Sequence, residues 1–279
     1  VSNTTIRDAN HYKLFYKSPD LEDGEDTIFL NIILCHLKAG DDESDQNTRR
    51  AMAENIMEAI ENYPSGNYIL MGDLNVYSAS EDAYQTFLNP DDGIIRFNDP
   101  LNENGNWHTN SSYEEIHTQS TRSSNEGDCG STGGMDDRFD FILASQEILN
   151  GTRDVEYLEE SYRALGNGGN QFNSSLLSGN NSFPQFLLNA LYQMSDHLPV
   201  ESQFILNTEK YNLGIKPSQQ QRFLIQNPVN QYINIFRKDF NQNLSFQLTD
   251  INGKLLKQGI LSGNSIKISE LPNGIYFLR

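Results

Sequence analysis

The stretch Asn67-Tyr68-Ile69-Leu70-Met71-Gly72-Asp73-Leu74-Asn75 decides how the chain is read. Its apolar run, Tyr68 to Met71, is short, β-friendly and bounded by Gly and Asn, and so predicts a buried strand. A glycine, a carboxylate and an amide follow at its end. Residues two apart in a strand share a face, which would aim Asp73 and Asn75 into one site. A hard-cation ligand beside a neutral hydrogen-bonding group suits metal-assisted chemistry on phosphate. The same residue types also build ordinary turns, so the motif needs company before it means catalysis.

Thr27 to Cys35 is a near-continuous apolar, β-branched run that predicts a central strand and delivers His36 at its end. A lone His there would be structural unless other groups converge on it. Tyr12 to Tyr16 predicts a short strand before it. Met52, Ala53, Ile56, Met57 and Ile60 recur at helical spacing and predict a core-facing helix over 48–62, with Asp45 and Asn47 as candidate caps. Pro64-Ser65-Gly66 ends it. Strand, helix and strand thus alternate, the pattern of a layered α/β domain. A second helix is expected over 77–88, capped by Ser78 or Ser80.

The chain has 279 residues, a formal net charge of −18 and 37% hydrophobic residues, enough for one large domain or two smaller ones. Such an acidic chain is repelled by bare nucleic acid and anionic membranes unless a cation or a local basic patch intervenes. It has no apolar run long enough to cross a membrane as a helix. Cys35 sits in an apolar strand and Cys129 in a Gly/Ser loop, and spacing does not say whether they pair. The chain begins at Val1 without a signal-peptide pattern, which reads as a chain whose true N-terminus lies upstream.

From Asn89 to Gly134 the sequence is turn-rich, and so long a loop points to function. Trp107, His108, Tyr113 and His117 within it would line a substrate groove or simply pack. Residues 129–134 are glycine-rich but lack a P-loop ending. The run from Asp136 to Leu143 predicts a strand with Arg138 and Asp140 on one face. Pro184 opens a short helix, and Met194-Ser195-Asp196-His197-Leu198-Pro199-Val200 leads into another strand. Residues 208–222 are a polar linker. Beyond them, runs at 231–236, 244–250, 254–261, 265–268 and 275–278 are short alternating strands separated by Asn-Gly turns.

Strand ends therefore offer His36, Asp73 with Asn75, Asp140, and Asp196 with His197. A Ser195-Asp196-His197 triad is excluded, because consecutive side chains alternate faces and no Gly-x-Ser-x-Gly elbow exists. A carboxylate, amide and imidazole set fits phosphodiester hydrolysis better.

His36-Leu37-Lys38, Gly72-Asp73-Leu74-Asn75, Asp137-Arg138-Phe139-Asp140-Phe141-Ile142-Leu143 and Ser195-Asp196-His197-Leu198-Pro199-Val200 resemble, in order, the motifs of the endonuclease/exonuclease/phosphatase superfamily, which includes DNase I-like nucleases, sphingomyelinases and inositol phosphatases. The resemblance spans most of residues 1–207. It implies a four-layer α/β/β/α sandwich and a Mg²⁺- or Mn²⁺-dependent phosphoesterase, most plausibly an endonuclease, with a lipid phosphodiesterase or phosphatase as the alternative. Carried over, Asp73 and Asn75 would position water and phosphate. Asp196 and Asp73 would hold metal, and Asn75 and Arg138 would touch substrate. His197, oriented by Asp140, would act on the nucleophile or the phosphorane charge, and His36 on the leaving oxygen. The family's first-strand Asn and metal-binding Glu have no match in residues 1–26, where Glu22 and Glu25 sit in an acidic turn. The family's opening strands are therefore expected to lie outside this chain, and the fragment alone to lack a principal metal ligand.

Residues 223–279 resemble a type IX secretion C-terminal sorting domain of Bacteroidetes, on Asn227-Pro228-Val229, the Leu248 to Lys254 hairpin and Leu271-Pro272-Asn273-Gly274-Ile275-Tyr276. This implies a small all-β sandwich, a partnership with the secretion machinery, and a secreted or cell-surface location. A monomer acting on nucleic acid, phospholipid or a small phosphate ester is expected. The competing class is a non-catalytic exported binding protein.

Overall fold

The structure is a computed structural model that describes residues 7–18, 27–127, 130–209, 224–225, 229, 231–236, 244–261, 265–272 and 274–279. The expected linker at 208–222 falls almost wholly outside these residues, as do Glu22, Glu25 and Cys129, and with Cys129 the question of a disulfide. The chain divides into two compact units, Val1–Gly214 and Ile215–Arg279.

The first unit is mixed α/β around one mixed sheet. Strand β1 (Asn10–Phe15) pairs antiparallel with β2 (Phe29–His36), and β2 runs parallel to β3 (Tyr68–Asp73). The crossover between β2 and β3 is helix α1 (Glu43–Ile60). Helix α2 (Asp82–Leu88) and the short β4 (Phe97–Asn98) follow. Strand β5 (Asp140–Ser145) then inserts antiparallel between β3 and β4, giving the order β1-β2-β3-β5-β4.

The expected stripe on α1 does bury. Met52, Ala53, Ile56, Met57 and Ile60 pack with Tyr84 and Phe87 of α2 against Ile33, Cys35, Leu70, Phe141 and Leu143 of the sheet. Each large side chain so buried contributes about 1.5–3 kcal/mol. The opposite face of the sheet, through Ile69, Ile142 and Ala144, packs on α3 (Gln146–Leu149), β6 (Val155–Tyr157) and Phe204. Strand β7 (Arg163–Ala164), α4 (Gln185–Met194), β8 (Val200–Glu201) and β9 (Phe204–Leu206) complete the unit. Helix α4 buries Leu188 and Leu191 against Met135, Ala164, Leu176 and Leu198. Cys35 is buried in the sheet, and burial, then the nearby Asp73 charge, pushes its thiol up to about 12.

Three boundaries differ from the sequence reading. Helix α1 starts at Glu43 rather than Thr48, with Asp42 as N-cap and Glu43 and Asp45 in its first turn, where carboxylates favour the helix dipole. Helix α2 starts only at Asp82, because the residue before it, Glu81, is drawn to Arg49 and to the Tyr77 N–H. Strand β5 starts at Asp140, so Arg138 and Asp140 do not share a strand face.

Two local features carry the site. Gly72 has φ +139°, and a Cβ there would overlap the Cys35 carbonyl oxygen of the neighbouring strand. The glycine is therefore what lets β2 and β3 close up beside Asp73. His117 is fully buried and donates Nε2–H to the Trp107 carbonyl at 2.8 Å, while the Trp107 indole donates to the Val76 carbonyl at 2.9 Å. Both aromatic groups are core, not groove.

In the second unit, β10 (Leu224–Ile225), β11 (Tyr232–Phe236) and β14 (Ser265–Lys267) form one antiparallel sheet. A second is formed by β12 (Leu244–Asp250), β13 (Leu255–Leu261) and β15 (Tyr276–Leu278). Ile233, Ile235, Leu248, Leu261, Ile266 and Ile268 make their common core. The β12–β13 turn is set by Asp250 Oδ1, which accepts from the Asn252 and Lys254 N–H groups, and by Gly253 at φ +81°.

Gly72→Ala should destabilise the first unit by about 2–4 kcal/mol, read as a lower urea midpoint with an unchanged slope; an unchanged midpoint would refute the tight β2–β3 approach. Burial holds the His117 imidazole below its ordinary pKa of 6.5. The unfolded chain then binds a proton that the folded chain refuses, so this group costs stability as pH falls through about 6.5. The drop in urea midpoint between pH 7.5 and pH 5.5 should be smaller in His117→Gln than in the parent; equal drops would contradict this origin.

Candidate active site

The sheet register builds the site. Parallel pairing sets His36 opposite Asp73, and antiparallel pairing sets Asp140 opposite Asp73 on its other flank. Three ionisable residues thus stand in a row across adjacent strands, spaced by the ~4.8 Å strand separation. His36 Nε2 lies 3.3 Å from Asp73 Oδ2. His197, from the segment after α4, donates Nδ1–H to Asp140 Oδ2 at 2.7 Å and brings Nε2 to 3.9 Å from Asp73 Oδ2. One carboxylate oxygen of Asp73 therefore lies between two imidazoles.

Asn75 reaches the same cleft by a different route than strand alternation. Strand β3 ends at Asp73, and Asn75 adopts φ +50°, a left-handed conformation that Asn tolerates. Its N–H donates to Asp73 Oδ1 at 3.0 Å and its side-chain amide to the Leu37 carbonyl at 3.3 Å. Asp196 Oδ2 accepts the Ser131 N–H at 2.6 Å. Ser195 Oγ accepts the His197 N–H at 3.0 Å, a local turn bond and not a nucleophile's contact. His36, Asp73, Asn75, Asp140, Asp196 and His197 all line one open cleft of about 550 Å³.

Arg138 does not. It is 1% exposed and forms a two-pronged pair with Asp99 at 2.7 and 2.9 Å, with its guanidinium 4.3 Å from the Phe141 ring centre. The expectation that it touches substrate is corrected. Its charge is used up inside the core, where an unpaired guanidinium would be costly.

The electrostatics follow from crowding. Burial, then the Asp140 charge, push the Asp73 carboxyl up to about 7, against opposing pulls from His197 and Asn75. Burial alone would lower His197. The hydrogen bond and charge of Asp140, with the charges of Asp73 and Asp196, outweigh it and push the imidazole up to about 9. Burial and the nearby Arg7 charge lower His36. The carboxylates around His197 thus favour its protonated form, burial favours neutral His36, and the Asp73 carboxyl is placed to take or give a proton near neutral pH.

Sequence reasoning missed seven lining residues, four of them with polar side chains, Arg7, Tyr77, Gln119 and Ser131, and three without, Ala39, Gly40 and Phe139. The Gln119 side-chain amide sits 2.6 Å from His197 Nε2 and 3.5 Å from Asp196 Oδ2, and its backbone bridges to both Asp137 and His197. Contacts spanning 78 residues leave no periodic trace in a turn-rich loop.

Among the described residues, no group of three His, Cys, Asp or Glu side chains is placed to hold a metal ion. Asp73 Oδ1 and Asp196 Oδ2 already accept protein N–H groups. This set does not by itself make a cation site.

Residues 227–279 match the family model described as secretion system C-terminal sorting domain. No curated protein matches the chain. Among solved structures it is similar to an endonuclease/exonuclease/phosphatase from Beutenbergia cavernae (11% identity, 97% of this chain and 64% of that one, TM-score 0.30). It is also similar to the human Nocturnin catalytic domain with bound sulfate (17%, 71% and 53%, 0.34) and to a mannosyl-6-phosphatase from Bacteroides thetaiotaomicron (15%, 66% and 54%, 0.29). The chain spans between half and two thirds of these structures. Superpositions this loose carry nothing about its chemistry. In the described residues no helix is long and apolar enough to cross a membrane. The family-model match bears out the expected type IX module: residues 227–279 are a secretion-system C-terminal sorting domain, and the chain is an exported protein of the cell surface or the medium.

Proposed function

We propose that the first unit is a phosphoester hydrolase of the endonuclease/exonuclease/phosphatase superfamily, built on that family's four-layer α/β/β/α sandwich and followed by a small β-sandwich that addresses it for export. The observation that carries this reading is the Asp73 carboxylate held between His36 and His197, with Asp140 behind His197. Pure binding has no use for two imidazoles in different protonation states around one carboxyl group that titrates near 7.

In this proposal Asp73 orients water and accepts its proton, which a carboxyl group near the working pH does well. Asn75 holds the water and a phosphoryl oxygen. The His197 imidazolium, fixed by Asp140, faces the charge that builds on the phosphoryl oxygens. As the P–O bond to the alcohol breaks, neutral His36 donates a hydrogen bond to the departing oxygen, which takes its proton from solvent in the open cleft while Asp73 returns the proton it took. Magnesium or manganese enters the proposal only with a further oxygen ligand beside Asp73 and Asp196. No step above runs through it. Nucleic acid is the first substrate to try. The −18 charge favours a small or lipid phosphoester as the alternative.

His197→Ala should lower kcat/KM at least about 10³-fold on bis(p-nitrophenyl) phosphate, plasmid DNA or sphingomyelin, with the urea midpoint nearly kept. Full activity in this variant would refute the assigned role, and a parent inert toward every ester would favour an exported binding protein. Removing residues 219–279 should leave turnover unchanged and trap the protein inside its exporting host; export of the shortened chain would separate the sorting domain from the route assigned to it.

A further inference from the structure

We infer that Tyr77 is the wall against which a ring in the alcohol portion of the substrate rests, so that the cleft prefers phosphoesters of ring-bearing alcohols, sugars or nucleosides. The inference rests on the phosphoester reading of this cleft and adds to it the side that recognises the organic group. Tyr77 follows Asn75 by two residues, lines the cleft and is half-buried. No hydrogen bond ties it to the His and Asp set described above. With Phe139 it is one of two phenyl-type rings among the described lining residues, and Phe139 is 4% exposed. Of these two rings, Tyr77 is therefore the one that an incoming group can meet.

Its ring is held from three directions. The His108 ring meets it at 4.9 Å and 80°, the Phe139 ring at 5.0 Å and 75°, and the Arg49 guanidinium lies 5.4 Å from its centre. Its backbone is held too: its N–H donates to Glu81 Oε2 at 3.1 Å, and its carbonyl accepts the His108 N–H at 3.3 Å. The holders are themselves pinned. His108 Nδ1 lies 2.6 Å from Asp137 Oδ1. Arg49, fully buried, pairs with Glu81 and donates to the Lys38 and Gly40 carbonyls.

This bracing matters for recognition. A ring already fixed in place loses little freedom when a second ring or a sugar face packs on it, so more of the contact energy appears as affinity. Arg49 also ties the 38–40 loop to the Tyr77 loop, and Ala39 and Gly40 of that first loop line the same cleft. A Cβ at Gly40, which has φ +107°, would overlap the Asp45 carboxylate, so this position carries no side chain into the cleft. The His36, Asp73 and Asp140 side chains stand at the strand ends, while Tyr77, Ala39 and Gly40 line the cleft from the loops that follow those strands. Burial pushes the Tyr77 phenol up to about 12, so it brings no negative charge to a phosphoester.

The test is equilibrium binding to the full chain by titration calorimetry in Mg²⁺ buffer. The probes are inorganic phosphate, glycerol 3-phosphate, ribose 5-phosphate and adenosine 5′-monophosphate. Tyr77→Ala, and Tyr77→Leu, which keeps bulk without a π face, should weaken at least one ring-bearing ester about tenfold or more. Both should leave phosphate and glycerol 3-phosphate within about twofold, and Tyr77→Phe should resemble the parent. A loss confined to adenosine 5′-monophosphate assigns the wall to a base; a loss that includes ribose 5-phosphate assigns it to a sugar ring. Equal losses for all four probes, or none, would overturn the inference. Phosphate failing to bind the parent would overturn the phosphoester reading beneath it.

Discussion

The register in which β2, β3 and β5 pair is the constraint on which the rest of the large unit depends. It puts His36, Asp73 and Asp140 side by side across three strands. A one-residue slip of any strand would turn its end residue to the other face and scatter the row. The register is pinned by burial, since Ile33, Leu70 and Leu143 must meet the α1 stripe, and by Gly72, the residue that fits beside the Cys35 carbonyl. The buried Asp73 carboxylate opposes folding at neutral pH, while His197, raised to about 9 by its carboxylate neighbours, favours it. A carboxyl group raised from 3.8 to about 7 records roughly 4 kcal/mol of unfavourable environment for its charge. The five apolar residues of α1 supply more than that. The core thus pays for a crowded, partly protonated strand-end cluster, which is what acid–base work near neutral pH requires.

Much of this was legible in the sequence because it is local. Tyr68 to Met71 and Thr27 to Cys35 are apolar runs, and the Met52-to-Ile60 stripe has helical period. The order strand, helix, strand follows, and with it the placing of His36 and Asp73 at neighbouring strand ends. What could not be read is long-range. Arg138 looks like a residue presented by the Asp140 strand until its partner Asp99, 39 positions away, is seen to claim it. Gln119 meets His197 across 78 positions, from a loop without periodicity. The helix expected over 77–88 would include Glu81, yet a buried Arg49 holds that residue and the helix starts only at Asp82. Asn75 reached the cleft as expected, but through a left-handed backbone rather than strand alternation.

The two units divide the physical tasks. The first carries the polar, titrating cleft. The second is a small core of Ile and Leu between short antiparallel strands, with a tight Asn252-Gly253 turn and none of the cleft's residues. The charge of −18 keeps an exported chain soluble and sets a barrier to long polyanions, so an ester that enters the cleft must offer something besides charge. A fixed tyrosine ring in the cleft wall is the feature best suited to that.

The most direct test of the account is turnover of a phosphodiester in ¹⁸O-labelled water, with the product phosphate and alcohol read by mass spectrometry. If the Asp73, Asn75 and His197 cluster directs water onto phosphorus, one ¹⁸O per turnover appears in the phosphate product and none in the alcohol. Label in the alcohol would mean that water attacks carbon, and the roles assigned to this cluster would be wrong.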